Sequence, residues 1–361
     1  MLPAVLRGLG VSGERNGLSL DVTSRVCVVL VDGLGASALA AHPEHAPFLT
    51  ALRDHVGSRT ITSVFPTTTS IALTSLGTGL PPGEHGIVGL LIRLPDGTPV
   101  NTLALPSPVD LSTLQPRATA FERAVAAGVT VTRVGPSRFD DDGLTRAGLR
   151  GGSYAAAESV GERIAETTAA VRRDSRSLTY VYYGDLDATG HRRGCTSEAW
   201  RAELRTVDAF VEQLAAALPA DATLLVTSDH GMVDVPLENR WDVAETPVLA
   251  DGVELVAGDL RGVHVHTRPG AAADVLAAWS STLGDSFWVL PRAQAVATGL
   301  FGPLVADDVL PRLGDVVVAA VGDRNVVDSR VHPPDVLRLI GMHGGLTADE
   351  LDVPLLVHRS G

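Results

Sequence analysis

The run Val26–Val31, VCVVLV, is unbroken by any polar residue and ends on Asp32-Gly33. A strand with one wet face alternates apolar and polar residues, so a continuous run implies burial on both faces, as in the middle of a parallel sheet. Two later segments follow the same plan. SLTYVYYG (Ser177–Gly184) and ATLLVTSDHG (Ala222–Gly231) each run from a strand into polar residues at its C-terminal end. Between these strands lie helical stretches, and Thr196 to Leu218 carries Trp200, Leu204, Val207, Val211 and Leu214 at helical spacing. Strands alternating with helices predict an α/β fold: a mostly parallel central sheet with helices on both faces. Sheets of this kind gather ligands just beyond the carboxyl ends of their strands. Asp32, Asp187 and the Asp229-His230 pair are therefore expected along one edge.

The chain has 361 residues, long for a single domain. GVHVHTRPGAAADVLAAWSSTLG reads as strand, turn and helix, and SFWVLP and GDVVVAAV as further strands. The expected organisation is a core of residues 1–252 and 331–361 with a small α/β insertion at 253–330, a candidate lid over the site. A net charge of −13 argues against a nucleic-acid coat or a membrane-surface binder. All 29 basic side chains are Arg, which excludes a Schiff-base or P-loop lysine. Cys27, in an apolar strand, reads as a buried free thiol rather than half of a disulfide. No apolar run reaches transmembrane length and the N-terminus lacks a basic segment leading into an apolar one, so a cytoplasmic protein is expected.

Five polar clusters remain: Asp32, the threonines of PTTTS (Pro66–Ser70), DATGH (Asp187–His191), SDHG with Asp229 and His230, and MHGG with His343. Singly, each reads as a turn, a cap or an ordinary histidine. Together, three carboxylates and three imidazoles supply ligands for two divalent ions. A mixed Asp/His set suits zinc, with manganese the alternative.

In this order the motifs resemble the nucleotide pyrophosphatase/phosphodiesterase branch of the alkaline phosphatase superfamily. That branch has an Asp closing its first strand, a PTxT nucleophile loop, TGxxPxxHGI, DxxGHxxG, SDHGM and a late HG. The chain has VDG at Asp32, PTTTS, TGLPPGEHGIVG from Thr78, DATGHRRG from Asp187, SDHGM from Ser228 and MHGG around His343. The resemblance implies that Asp32, Thr69, Asp229 and His230 hold one metal, and Asp187, His191 and His343 the other. It makes Thr69 the nucleophile and the reaction a hydrolysis of phosphodiester or pyrophosphate bonds through a phosphothreonine. Its substrates would be small phosphodiesters, nucleotides or phosphonates. Alternatives are a phosphonate hydrolase of the phosphonoacetate type, a phosphomonoesterase, and a regulatory or binding protein retaining the fold.

Family phosphodiesterases carry an Asn in TFPNH, where this chain has TSIAL and Ala72. Backbone N–H groups or Arg192 and Arg193 are expected to hold the phosphoryl oxygens instead. His85 is expected to structure its loop. His264 and His266, alternating on a strand of the insertion, are expected to face solvent or serve a substrate lid.

Overall fold

The computed structural model describes residues 1–104 and 109–359. A seven-stranded sheet contains β1 (Arg25–Val31), β2 (Arg59–Thr62), β5 (Thr130–Gly135), β6 (Ser153–Ala156), β7 (Ser177–Tyr183), β8 (Ala222–Thr227) and β17 (Asp352–Arg359), in the order β2-β17-β8-β1-β7-β5-β6. The five strands from β8 to β6 are mutually parallel; β17 runs antiparallel to both neighbours. β1 lies at the centre, which is why its sequence has no polar break.

The pleat sends alternate β1 residues to opposite sides. Cys27, Val29 and Val31 pack with Leu204, Val207 and Phe210 of the Glu198–Ala217 helix. Val28 and Leu30 pack with Leu2, Leu6 and Phe121, from the Leu2–Gly8 and Ala120–Ala126 helices. Each fully buried aliphatic side chain contributes about 1.5–3 kcal/mol. Both faces are thus covered over the central strands, and the exposed residues of the sheet lie largely on the edge strands β2 and β6.

A second, antiparallel sheet has the order β13-β14-β12-β11-β3-β4. Its strands are β3 (Leu91–Arg93), β4 (Pro99–Asn101), β11 (Val253–Gly258), β12 (Gly262–Thr267), β13 (Phe287–Pro291) and β14 (Val316–Ala320). Two of these, β3 and β4, lie outside 253–330, so a hairpin from the earlier chain completes this sheet. Two small pairs join distant segments: β9 (Val233–Asp234) with β16 (Gly341–Met342), and β10 (Arg240–Asp242) with β15 (Asn325–Val327). Arg261, just before β12, fastens the second sheet to the C-terminal segment. Its guanidinium donates to both carboxylate oxygens of Glu350 at 2.7 Å, with both side chains fully buried. Among the described residues, no helix is long and apolar enough to cross a membrane. Cys27 and Cys195 are free, and Cys27 is buried.

Candidate active site

Asp32 follows β1, Asp187 lies in the first turn of the Asp185–Arg193 helix after β7, and Asp229 and His230 follow β8. These strands are adjacent, with register pairs Val31↔Tyr183 and Leu30↔Thr227. Neighbouring strand ends therefore bring the three carboxylates to one place. His191 lies one turn beyond Asp187 on the same helix face, its Nε2 3.5 Å from Asp187 Oδ2. His343, directly after β16, places its Nε2 3.2 Å from that of His191 and 4.0 Å from Asp187 Oδ1. His230 Nε2 stands 3.5 Å from Asp32 Oδ1 and 3.5 Å from Asp229 Oδ2. All seven residues expected from the sequence converge.

The three threonines of PTTTS each have a different partner. Thr67 Oγ1 donates to the Gly345 carbonyl at 3.0 Å and accepts from the Gly344 N–H at 2.9 Å, tying the PTTTS loop to the His343 loop. Thr68 occupies the N-cap position of the Thr69–Thr78 helix, but its hydroxyl does not cap. It donates to Asp259 Oδ2 at 2.7 Å, in the turn between β11 and β12. Thr69, the first helical residue, directs Oγ1 toward His230 Nε2 at 3.2 Å. Thr69 is thus not the helix cap, the simplest local alternative for a threonine there. The first N–H groups of a helix have no intrahelical acceptor and carry its positive dipole end, a setting suited to an anionic oxygen.

The donor set fits divalent cations. Each imidazole has Nδ1 against a backbone carbonyl: His191 on Gly341 at 2.7 Å, His230 on Gly231 at 3.1 Å and His343 on Thr67 at 2.9 Å. A carbonyl only accepts, so Nδ1 carries the proton and Nε2 presents a lone pair. Lone pairs of His191 and His343 then face each other at 3.2 Å, an arrangement that a cation relieves. Asp32 Oδ1, Asp187 Oδ1 and Asp229 Oδ2 are buried without a hydrogen-bond donor. Burial, then the Asp229 and Asp187 charges, pushes the Asp32 carboxyl well above the usual carboxylate range, and burial raises Asp229 as well. Ligand atoms cluster as Asp187–His191–His343 and Asp32–Asp187–His230, so Asp187 stands between two positions.

Sequence reasoning passed over the supporting residues. Tyr182 donates from its hydroxyl to Asp32 Oδ2 at 2.5 Å, fixing that carboxylate so that Oδ1 faces His230. Its signal was present, because Tyr180 and Tyr182 alternate in SLTYVYYG and share a sheet face. Beside Thr69 a cavity of about 280 Å³ opens, lined by Asp32, Asp187, Arg133, Tyr154, Tyr180 and Phe139 among others. None of its lining residues comes from 253–330; its outer walls come from Leu103 to Tyr154. Arg192 and Arg193 are exposed and do not line it, and neither does Ala72.

His264 and His266 do not face solvent as expected; they are 1% and 2% exposed. β12 lies between β11 and β14, and the sheet is covered on both faces, so neither side of the strand is wet. His85 does structure its loop: Nδ1 accepts from the Ile87 N–H at 3.1 Å, and Nε2 lies 2.8 Å from Ser75 Oγ.

The profile of the type I phosphodiesterase / nucleotide pyrophosphatase family matches residues 26–346. Human ectonucleotide pyrophosphatase/phosphodiesterase family member 7 is 28% identical over 197 residues, a match covering 51% of this chain but only 42% of that protein. Murine ectonucleotide pyrophosphatase/phosphodiesterase 5, solved as an inactive form in complex with AMP, shares the fold. Its TM-score is 0.74 at 19% identity, covering 93% of this chain and 88% of that one. Phosphonoacetate hydrolase from Sinorhizobium meliloti 1021, solved in complex with phosphonoformate, gives 0.70 at 20% identity, covering 94% and 90%.

Proposed function

This chain belongs to the type I phosphodiesterase / nucleotide pyrophosphatase family, and we propose that it hydrolyses small phosphodiesters or pyrophosphates with Thr69 as nucleophile and two divalent ions, zinc by preference. The observation that carries this reading is the convergence of three Nε2 lone pairs and three donor-free carboxylate oxygens beside a hydroxyl at a helix N-terminus. Asp32, Thr69, Asp229 and His230 would hold one ion, and Asp187, His191 and His343 the other. Three imidazoles in the set favour zinc over magnesium. When bound, such ions lower the pKa of a nearby hydroxyl and offset charge on the attacking and leaving oxygens.

The protein's own groups supply the rest. Thr69 Oγ1, once deprotonated, forms a bond to phosphorus as the bond to the leaving oxygen breaks, giving a phosphothreonine that water then cleaves. The Thr67 and Thr68 hydrogen bonds hold the backbone of Thr69 against two other loops, so the attacking oxygen is placed before substrate arrives. The free N–H groups at the start of the Thr69–Thr78 helix would receive a phosphoryl oxygen, the work expected of an Asn where Ala72 stands.

The test is a parallel assay of zinc-loaded protein on bis(4-nitrophenyl) phosphate, 4-nitrophenyl phosphate and phosphonoacetate. The diester should turn over fastest. Faster release of phosphate from phosphonoacetate would reassign the enzyme as a phosphonate hydrolase, and faster monoester turnover as a phosphomonoesterase. Turnover of none would leave a binding protein.

A further inference from the structure

The cavity beside Thr69 contains a cation that the reaction above does not use. Arg133, on β5, is 8% exposed, yet its guanidinium makes no hydrogen bond or ion pair among the described residues, and Nε and Nη1 are buried without an acceptor. Guanidinium stays protonated under all ordinary conditions. A buried, unpaired charge is costly unless something completes it.

Its neighbours form a row across the sheet. Arg133 pairs in register with Tyr180 of β7 on one side and Tyr154 of β6 on the other. The guanidinium carbon lies 5.3 Å from the Tyr154 ring centroid. Tyr154 spends its hydroxyl on the Pro136 carbonyl at 2.8 Å, whereas the Tyr180 hydroxyl is buried with no partner among the described residues. Arg133 and Tyr180 thus offer unused donors to one cavity. Two residues further along β7, Tyr182 holds Asp32. Strand rise puts the two rows roughly 7 Å apart. The acidic groups near Arg133 do not complete it: Asp140 and Asp141 are exposed, and Asp142 accepts from the Thr145 N–H at 2.6 Å as a helix cap. None comes within ion-pairing distance.

We propose that Arg133 and Tyr180 form a specificity subsite for a second oxyanion, a carboxylate or a phosphate, on the organic part of the substrate. This assignment rests on the phosphoester reading for the location of the reacting phosphorus. Planar guanidinium receives either oxyanion through two parallel hydrogen bonds, and a tyrosine hydroxyl adds a third. The substrate is thereby a compact phosphoester with one anionic group at the reacting centre and another a short spacer away, walled by Phe139 and the Tyr154 ring.

Three ester-free probes test it by calorimetric titration into the zinc-loaded protein: phenylphosphonate, 4-phosphonobenzoate and benzene-1,4-diphosphonate. One or both of the doubly anionic probes should bind at least about tenfold tighter than phenylphosphonate. That ratio should fall to about one in Arg133→Met and shrink in Tyr180→Phe. Whichever probe binds tighter identifies the oxyanion. Without ligand, Arg133→Met should unfold at the same or a higher temperature, because it removes an unpaired buried charge; Arg133→Gln gives the same comparison should the Met variant fail to fold. A ratio near one in the natural protein, or a ratio kept in both Arg133 variants, overturns the proposal. Turnover of bis(4-nitrophenyl) phosphate measured alongside separates the two readings. Selectivity without turnover removes the hydrolase and leaves the subsite, and turnover without selectivity does the reverse.

Discussion

His343, at the edge of the first sheet, and His264, in the middle of the second, are 8% and 1% exposed. Their ring nitrogens are used in opposite ways. His264 lies between two backbone groups, Nε2 donating to the Val88 carbonyl at 2.9 Å and Nδ1 accepting from the Gly314 N–H at 3.3 Å. Nothing is left over. His343 donates Nδ1 to the Thr67 carbonyl and leaves Nε2 aimed at His191 and Asp187. Burial alone therefore does not separate a structural histidine from a ligand. An unspent nitrogen facing carboxylates does, and His191 and His230 share that trait; His85 has no unspent nitrogen, and the unpartnered Nε2 of buried His266 belongs to no such cluster among the described residues.

Removing the proposed nucleophile should produce the largest effect and leave both kinds of histidine alone. Thr69→Ala should lose at least about a thousandfold in turnover, while its zinc content by atomic spectroscopy stays near that of the natural protein. Retained turnover would remove Thr69 from the chemistry. Next comes the ligand side. His343→Ala should lose about one equivalent of zinc and on the order of a hundredfold in activity, with little loss of stability in the metal-free protein. An unchanged zinc content would place His343 with His264.

The structural side should respond in the opposite sense. His264→Leu strands the Val88 carbonyl and the Gly314 N–H, and should cost about 1–3 kcal/mol in denaturant unfolding while zinc stoichiometry is kept. The smallest effect concerns pH. Burial holds His264 down to about 4 from its ordinary 6.5, so the unfolded chain binds the proton first as pH falls. Its contribution is complete above pH 6.5 and lost progressively down to about 4. Between pH 7 and 6 the stability gap between the natural protein and His264→Leu should narrow by about 0.7 kcal/mol. A gap that widens would mean that His264 is protonated in the fold.

Much of this was legible before any coordinates. The apolar run VCVVLV identified the central strand because six β-prone apolar residues ending on Asp-Gly fit a strand buried on both faces, and the polar residues ending β1, β7 and β8 identified the shared edge. The threonine triplet announced a crowded loop, although its three partners, in the Gly344–Gly345 turn, at Asp259 and at His230, are remote in sequence and invisible to local pattern. The His264 environment was misjudged for a similar reason: alternation along GVHVHT looks like one wet face until helices and loops cover both. The cavity wall was unreadable altogether. Arg133 is one arginine among many, and only the fold shows that it lies beside Tyr180 in the cavity wall with no hydrogen-bond or ion-pair partner among the described residues.

Asp32 follows the first strand of the central sheet, and His343 arrives shortly before β17, the last, which slots between β8 and β2. The proposed ligand set therefore spans the central sheet from its first strand in sequence almost to its last. A ribosome-bound chain lacking β17 would have Asp32, Asp187, Asp229 and His230 made but an unfinished sheet edge, with the loop around His343 not yet docked on Thr67. Long-range closure of this sort is entropically slow, and metal captured by a completed site adds its binding energy to the folded state alone. Zinc uptake should accordingly report completion of the central sheet, making metal content a measure of how many molecules closed that sheet as well as of how many can react.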